Sequence, residues 1–212
     1  MAAYIIMAII AYLIGSINFS VIISKKVAGF DVREKGSGNA GSTNMLRSVG
    51  LKPAILTLAL DILKGVVTVL LALLIGKIFK DIPQKEVLVQ VAGIFVIIGH
   101  TFPIFFGFKG GKGIATSLGV LLITNWQIGL ICLVFALILM ALTRMVSVGS
   151  IAAAIQYPVL TVFIYQNYII DGNHMTYIIA SIVLCVLVIF NHRENVKRLL
   201  AGTENKLNFN KG

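Results

Sequence analysis

The chain has 212 residues, of which 58% are hydrophobic and 12% charged, and a formal net charge of +10. A soluble domain carries about a quarter charged residues; with a mean hydropathy of +0.96, a water-soluble globule of this size has no way to hide its apolar surface. Most soluble enzymes and disulfide-stapled secreted folds are excluded, and the composition predicts a single-unit, all-α polytopic membrane protein over residues 1–212.

Seven apolar segments follow in chain order, at 3–24, 53–75, 87–99, 114–123, 128–142, 146–165 and 175–190. The first, second and sixth are about 20 residues long, enough to cross a hydrocarbon core of ~30 Å. The third and fourth are short, although Asp81 before Pro83 can cap and extend the third by a turn. The first run lacks a basic n-region and is followed by Lys25 and Lys26, which reads as a signal anchor rather than a cleaved leader.

Span number decides which loops share a side. Joining 114–142 into one helix gives six spans and an even division of basic residues. Breaking the chain at the polar stretch 124–127 gives seven spans, with 14 basic residues on one side, 3 on the other and Lys64 within a span. The positive-inside rule selects seven spans, an outside N-terminus and a cytoplasmic C-terminus. Trp126 then falls at the outer interface and His174 in a solvated outer loop. The basic residues lie between apolar runs rather than in one stripe, which points to anionic lipid or anionic substrates and not to nucleic acid. Cys132 and Cys185 stand in apolar runs without CxxC spacing or clustered histidines, so neither a disulfide nor a metal site is indicated.

With this topology three polar, glycine-rich stretches share the cytoplasmic face. The first, 25–51, is a long connection carrying Gly36, Ser37, Gly38, Asn39, Gly41, Thr43, Asn44 and Arg47. Glycines let successive amides close on an anion, and Arg47 adds a bidentate fork suited to phosphate. The second, 99–116, reads GHTFPIFFGFKGGKGIAT: Lys109 and Lys112 bracket Gly110 and Gly111, and Gly113 leads into an apolar helix whose N-terminus favours anions. It is not a Walker A loop, because Lys112 is followed by Gly113 rather than Ser or Thr. The third, 191–204, reads NHRENVKRLLAGTE. Its His192 and Asn195 share a helical face, and Glu194 and Arg198 are four apart. Within the second span, Asp61 and Lys64 have the i,i+3 spacing of a neutralising pair, which suits either an ion pathway or a brace for a cytoplasm-facing site.

Together these stretches resemble the signature of the bacterial membrane-integral acyl-phosphate glycerol-3-phosphate acyltransferases. SGNAGSTNMLR at 37–47 is similar to that family's SGNxGATNxxR, 99–116 to its GHxFPxFxxFKGGKGxAT, and 192–204 to its HxxNIxRLxxGxE, with Ser42 for Ala and Val196 for Ile as departures. The resemblance implies a seven-helix enzyme of the bacterial inner membrane. It would move an acyl group from acyl phosphate to the 1-hydroxyl of glycerol 3-phosphate, giving lysophosphatidic acid without a cofactor. The HxxxxD motif of the soluble-domain acyltransferases is absent. The implied partners are acyl phosphate, glycerol 3-phosphate, membrane lipid and the soluble enzyme that makes acyl phosphate.

On this reading Ser37, Arg47, Lys112, His192 and Asn195 surround glycerol 3-phosphate, and the 110–113 nest takes the donor phosphate. Gly38, Asn39, Gly41, Thr43, Asn44, His100, Lys109, Gly110, Gly111, Gly113, Thr116, Arg198 and Glu204 complete the binding set. No acid is placed for a Ser–His–Asp triad, so a substrate phosphate oxygen is the expected base and His192 chiefly a binder. A transporter or flippase of phosphorylated amphiphiles is the alternative. It does not explain why the polar loops gather on one face, and no internal repeat supports it.

Overall fold

The first apolar run does not form one continuous rod. It folds as α1 (Ala2–Gly15) and α2 (Phe19–Ala28), interrupted at Ser16, Ile17 and Asn18. Asn18 adopts an extended backbone and restarts the helix, its Oδ1 accepting from the Val21 amide at 3.3 Å and from Ser20 Oγ at 2.8 Å. A short amide side chain that bonds its own backbone is a natural place for such an interruption. The computed structural model describes residues 1–164 and 168–207, and the regular structure there is entirely helical.

The connection that follows is mostly structured. A 3₁₀ turn at Val32–Glu34 and α3 (Ser42–Ser48) lead into α4 (Leu51–Ile78), α5 (Lys85–Thr101) and the short α6 (Ile114–Thr124). Asp81 does not cap α5, contrary to expectation: the helix starts after Gln84, which is left-handed at φ 49° and offers no side-chain cap. Asn125 alone separates α6 from α7 (Trp126–Thr143), ending one and capping the other by accepting from the Ile128 amide at 3.1 Å. The chain therefore breaks within 124–127 as its polarity predicts. Next come α8 (Val146–Phe163), with Pro158 inside it, α9 (His174–Asn191) and α10 (Arg193–Leu200). Residue 165, the expected end of the sixth segment, lies outside the described residues. His174 is not simply solvated, since its Nε2 donates to the Thr161 carbonyl at 3.0 Å.

Six helices among the described residues are long and apolar enough to cross a membrane, counting α1 and α2 as one. The 11-residue α6 is only ~16 Å long. The distribution of side chains suits lipid rather than water. On α4, Leu63, Val67, Leu70 and Leu74 face outward, while Thr57, Asp61, Lys64 and Thr68 are buried. Charge and hydroxyl turned inward with leucine outward is the arrangement that lipid requires of a span.

Close packing holds the short helix. Gly119 of α6 meets α4 where a Cβ would come within 2.9 Å of the Ile62 carbonyl carbon, and Gly99 of α5 meets α1 at 2.9 Å from the Ser16 amide. The main apolar cluster includes Met7, Val69, Leu88, Ile97 and Ile128. A second, built from Val21, Val32, Ala40, Met45 and Ala54, sits beneath the first glycine-rich stretch and fixes it to the bundle end.

Candidate active site

The first polar stretch is shaped from inside by Asn44. Its Nδ2 donates to the Val32 and Lys35 carbonyls at 2.9 and 3.0 Å, and its Oδ1 accepts from the Ser37 amide at 2.9 Å. Those bonds hold a turn in which Gly36 and Gly38 are left-handed, at φ 58° and 70°. Ser37 and Gly38 are exposed on that turn, and Asn39, Gly41 and Thr43 are partly buried beside it. Asn44, expected to bind substrate, is buried with its polar atoms bonded to the chain itself.

The second stretch is folded against the first. Gly110 and Gly111 donate to the carbonyls of Thr101 (3.0 Å) and His100 (3.1 Å), and the Ala40 amide donates to Gly110 at 3.4 Å. Side chains have no room here: a Cβ on Gly111 would lie 2.8 Å from the Ala40 oxygen and from His100 Cε1, and one on Gly110 would lie 2.7 Å from Pro103 Cδ. Two of the four amides assigned to the phosphate nest are thus engaged within the chain. Among the described residues the amides of Lys112 and Gly113 donate to no partner, and the first turn of α6 leaves further amides without helical acceptors.

Arg33, which carries no motif in the sequence, supplies a further tie. Arg33 donates through one terminal nitrogen to the Phe106 and Lys109 carbonyls at 2.7 and 2.9 Å, and its other nitrogens engage Asp31 at 2.8–3.0 Å. The guanidinium beside Asp31 holds that carboxyl below its usual range against the opposing effect of burial. In the sequence Asp31 stands two residues before Arg33, a spacing that does not by itself distinguish the pair from solvated loop charges. Lys109 itself is exposed.

The third stretch closes the site. Lys112 Nζ donates to Asn195 Oδ1 in a short contact. Asn195 Nδ2 donates to Glu204 Oε1 at 2.8 Å, and Arg198 Nε donates to Glu204 Oε2 at 2.9 Å. Glu204 is therefore a hub for two neighbouring side chains. The i,i+4 pair of Glu194 and Arg198 does not form; Glu194 takes Lys197 at 3.1 Å instead. Arg47 reaches the Asn205 carbonyl at 3.4 Å. His192, at the junction of α9 and α10, is buried and donates from Nδ1 to the Val188 carbonyl at 2.8 Å. A carbonyl only accepts, so the proton is on Nδ1 and Nε2 keeps its lone pair.

The electrostatics follow from this grouping. Burial, assisted by Arg198 and partly opposed by Glu204, lowers the Lys112 ammonium to about 8. Burial and the nearby Lys112 charge lower His192 to about 4, which leaves the imidazole neutral near pH 7. Glu204 stays below the usual carboxyl range: burial opposes its charge, but bonds from Asn195 and Arg198 outweigh it. Arg47, Lys112 and Arg198 face one carboxylate, so the cluster carries excess positive charge suited to a phosphate dianion.

Directly after Gly113 the chain enters the wall of an apolar cavity of about 110 Å³, lined by Ile114, Leu121, Cys132, Tyr157 and Leu184 among others. Expected site residues thus divide into two groups. Arg47, Lys112, His192, Asn195, Arg198 and Glu204 gather at one end of the bundle. His100 instead bonds to Lys64 inside the bundle and packs beneath Gly111, and Thr116 is wholly buried on α6.

Comparison with known proteins identifies the family. The family model described as glycerol-3-phosphate acyltransferase matches residues 5–202. A glycerol-3-phosphate acyltransferase of Thermoanaerobacter sp. (strain X514) is 45% identical over 94% of this chain and 93% of its own length. One from Clostridioides difficile (strain 630) is 41% identical over 97% and 96% respectively. The crystal structure of PlsY (YgiH), an integral membrane glycerol 3-phosphate acyltransferase, in its glycerol 3-phosphate form matches with a TM-score of 0.82 at 37% identity, covering 97% of this chain and 96% of that one. Its lysophosphatidic acid form matches at 0.80 and 35%, covering 97% and 95%. A chain matched along nearly its whole length, with a cluster of cationic side chains and an apolar cavity in one helical bundle, belongs to the membrane-integral glycerol-3-phosphate acyltransferase family and is an acyltransferase.

Proposed function

We propose that this enzyme uses acyl phosphate as its donor and transfers the acyl group to the 1-hydroxyl of glycerol 3-phosphate, releasing lysophosphatidic acid and phosphate. The observation that carries this reading is adjacency. Lys112 joins the cationic cluster through its side chain, and its amide and that of Gly113, which donate to no partner among the described residues, lead directly to Ile114 in the wall of the apolar cavity. A donor with a phosphorylated head and a hydrocarbon tail fits that sequence of environments.

The residues divide the work. Amides at 112 and 113, with the N-terminus of α6, hold the donor phosphate, which is the leaving group. Arg47, Lys112 and Arg198 hold the phosphate of glycerol 3-phosphate, with Ser37 and Asn195 directing the glycerol. His192 offers its Nε2 lone pair to a glycerol hydroxyl; a pKa of about 4 makes it a weak base, so it orients rather than deprotonates. The 1-hydroxyl proton passes to a substrate phosphate oxygen, whose second ionisation near ~6 suits the task. Oxygen attacks the carbonyl carbon, the C–O bond to phosphate breaks, and the bridging oxygen leaves with phosphate. Asn39 and Thr43 are the side chains available to the oxyanion. Because acyl phosphate is already activated, positioning supplies most of the rate.

The chain crosses the membrane seven times, α6 included, with its N-terminus outside and the site in the cytoplasm. The split of basic residues and the break at Asn125 support this parity. The setting is a bacterial inner membrane, where a soluble enzyme supplies the acyl phosphate. Purified protein in lipid, given glycerol 3-phosphate with acyl phosphate or acyl-CoA in parallel, tests the donor. Lysophosphatidic acid from acyl phosphate alone supports the reading, and product from acyl-CoA alone overturns it. Glycerol 3-phosphate binding with no turnover of either donor also overturns it and points to a different acyl donor.

A further inference from the structure

A charged cluster inside the bundle lies outside the substrate-facing groups. Lys64 Nζ is 2.8 Å from Asp61 Oδ1, 3.1 Å from the Gly15 carbonyl, 3.0 Å from the Ile17 carbonyl and 2.8 Å from His100 Nδ1. Lys64, Asp61 and His100 are 3–6% exposed. The two carbonyls are those freed by the interruption between α1 and α2, so the lysine stands where the broken helix has acceptors to satisfy. The aligned hydrogen bonds go to those carbonyls and to the imidazole, while Asp61 supplies the counter-charge.

The other edge of His100 faces the active site. His100 Nε2 and the Ala40 carbonyl both border the place that a Gly111 side chain would fill, and the His100 carbonyl accepts from the Gly111 amide. The interruption is tied to the same loop. Ser16 Oγ accepts from the Ile104 amide at 3.3 Å, and Tyr12 donates to the Phe102 carbonyl at 2.8 Å. His100 Nδ1 lies 2.8 Å from Lys64 Nζ and 3.5 Å from Asp61 Oδ1; the shorter contact is to the ammonium, which has donors only, so Nδ1 accepts there and a neutral ring carries its proton on Nε2.

We propose that Asp61 and Lys64 are positioning residues for acyl transfer: they hold His100 as the Nε2–H tautomer and seat its ring beneath Gly111, which fixes the backbone that presents the Lys112 and Gly113 amides. This rests on the reading that those amides hold the donor phosphate. The tautomer itself is independent of that reading, and so the two are separable. A pair that served only to neutralise charge in lipid would have no reason to reach this ring.

The test uses uniformly ¹⁵N-labelled full-length protein, with the His100 ring signals assigned by their loss in His100→Gln. The expected result is an unprotonated Nδ1 and a protonated Nε2 at His100, with the resonances shifting when inorganic phosphate is added. A protonated Nδ1 overturns the inference and leaves the phosphate reading intact. A phosphate response at the Lys112 and Gly113 amides with none at His100 also overturns it. No response at either place removes the phosphate reading and this inference with it.

A kinetic cycle is the second arm. Gln at position 100 has no ring tautomer for Lys64 to select. Lys64→Met is expected to raise the KM for acyl phosphate by about tenfold in the parent and less than about threefold in His100→Gln. Equal losses in both backgrounds mean that Lys64 acts on the bundle alone, and the proposal fails.

Discussion

Lys112 and Asn195 meet although 83 positions separate them in the chain, the ammonium donating to the amide oxygen. That contact joins the loop before α6 to α10, and Glu204 steadies Asn195 from behind at 2.8 Å. Removing the amide leaves a part-buried ammonium without its oriented acceptor. Asn195→Ala is expected to raise the KM for glycerol 3-phosphate about tenfold while leaving the melting temperature within a few degrees. Steady-state kinetics and a thermal melt in detergent check both values.

The same ammonium sets a pH limit. Lys112 in the free enzyme loses its proton near about 8. An anion binds the protonated form, so kcat/KM is expected to fall as pH rises through that value, tending to tenfold per pH unit. Lys112→Arg keeps its charge throughout this range. Its alkaline limb should disappear even if its overall rate is lower. An unchanged limb in the arginine variant assigns the titration to another group.

His192 offers a clean separation of binding from proton transfer. With its pKa near about 4, it is neutral across pH 5–9, and its Nδ1 proton is committed to Val188. His192→Gln retains an acceptor, so turnover is expected to stay within about threefold while KM rises about tenfold. A loss of a hundredfold or more in turnover at unchanged KM identifies His192 as the base.

Two glycines of the same loop should respond differently. Gly111→Ala pushes a methyl against the Ala40 oxygen and His100, and it should cost at least about a hundredfold in activity through displaced amides. Gly107 has open space around it but a φ of 65°. Gly107→Ala should cost only about 1–2 kcal/mol of backbone strain, read as a modest drop in melting temperature with activity largely kept.

The cavity predicts chain-length discrimination. Ala136 lines its wall, and Ala136→Leu fills part of it with three carbons. At ~0.8 kcal/mol per methylene, the KM for long-chain acyl phosphate should rise at least about tenfold relative to a short-chain donor. Equal effects on both lengths place the tail elsewhere.

Much of this was legible in the sequence because lipid makes hydrophobicity so informative. The apolar segments fall on helices, although the first is broken between α1 and α2, and the polar break before Trp126 falls at Asn125. The i,i+3 spacing of Asp61 and Lys64 gives the ion pair. Other features depend on contacts remote in sequence. Nothing local shows that Lys64 satisfies carbonyls near position 16, that Arg33 ties down the 106–109 backbone, or that Asn44 and Glu204 are occupied internally. Glycine spacing suggested a four-amide nest; tertiary bonds at Gly110 and Gly111 reduce it to the amides that follow.

The most direct measurement of the central claim is a crystal structure with glycerol 3-phosphate and a non-hydrolysable acyl phosphonate bound together. The account predicts phosphonate oxygens about 3 Å from the Lys112 and Gly113 amides, the glycerol phosphate among Arg47, Lys112 and Arg198, and the tail in the cavity beyond Ile114. A phosphonate seated away from those amides, or a tail outside the cavity, contradicts it.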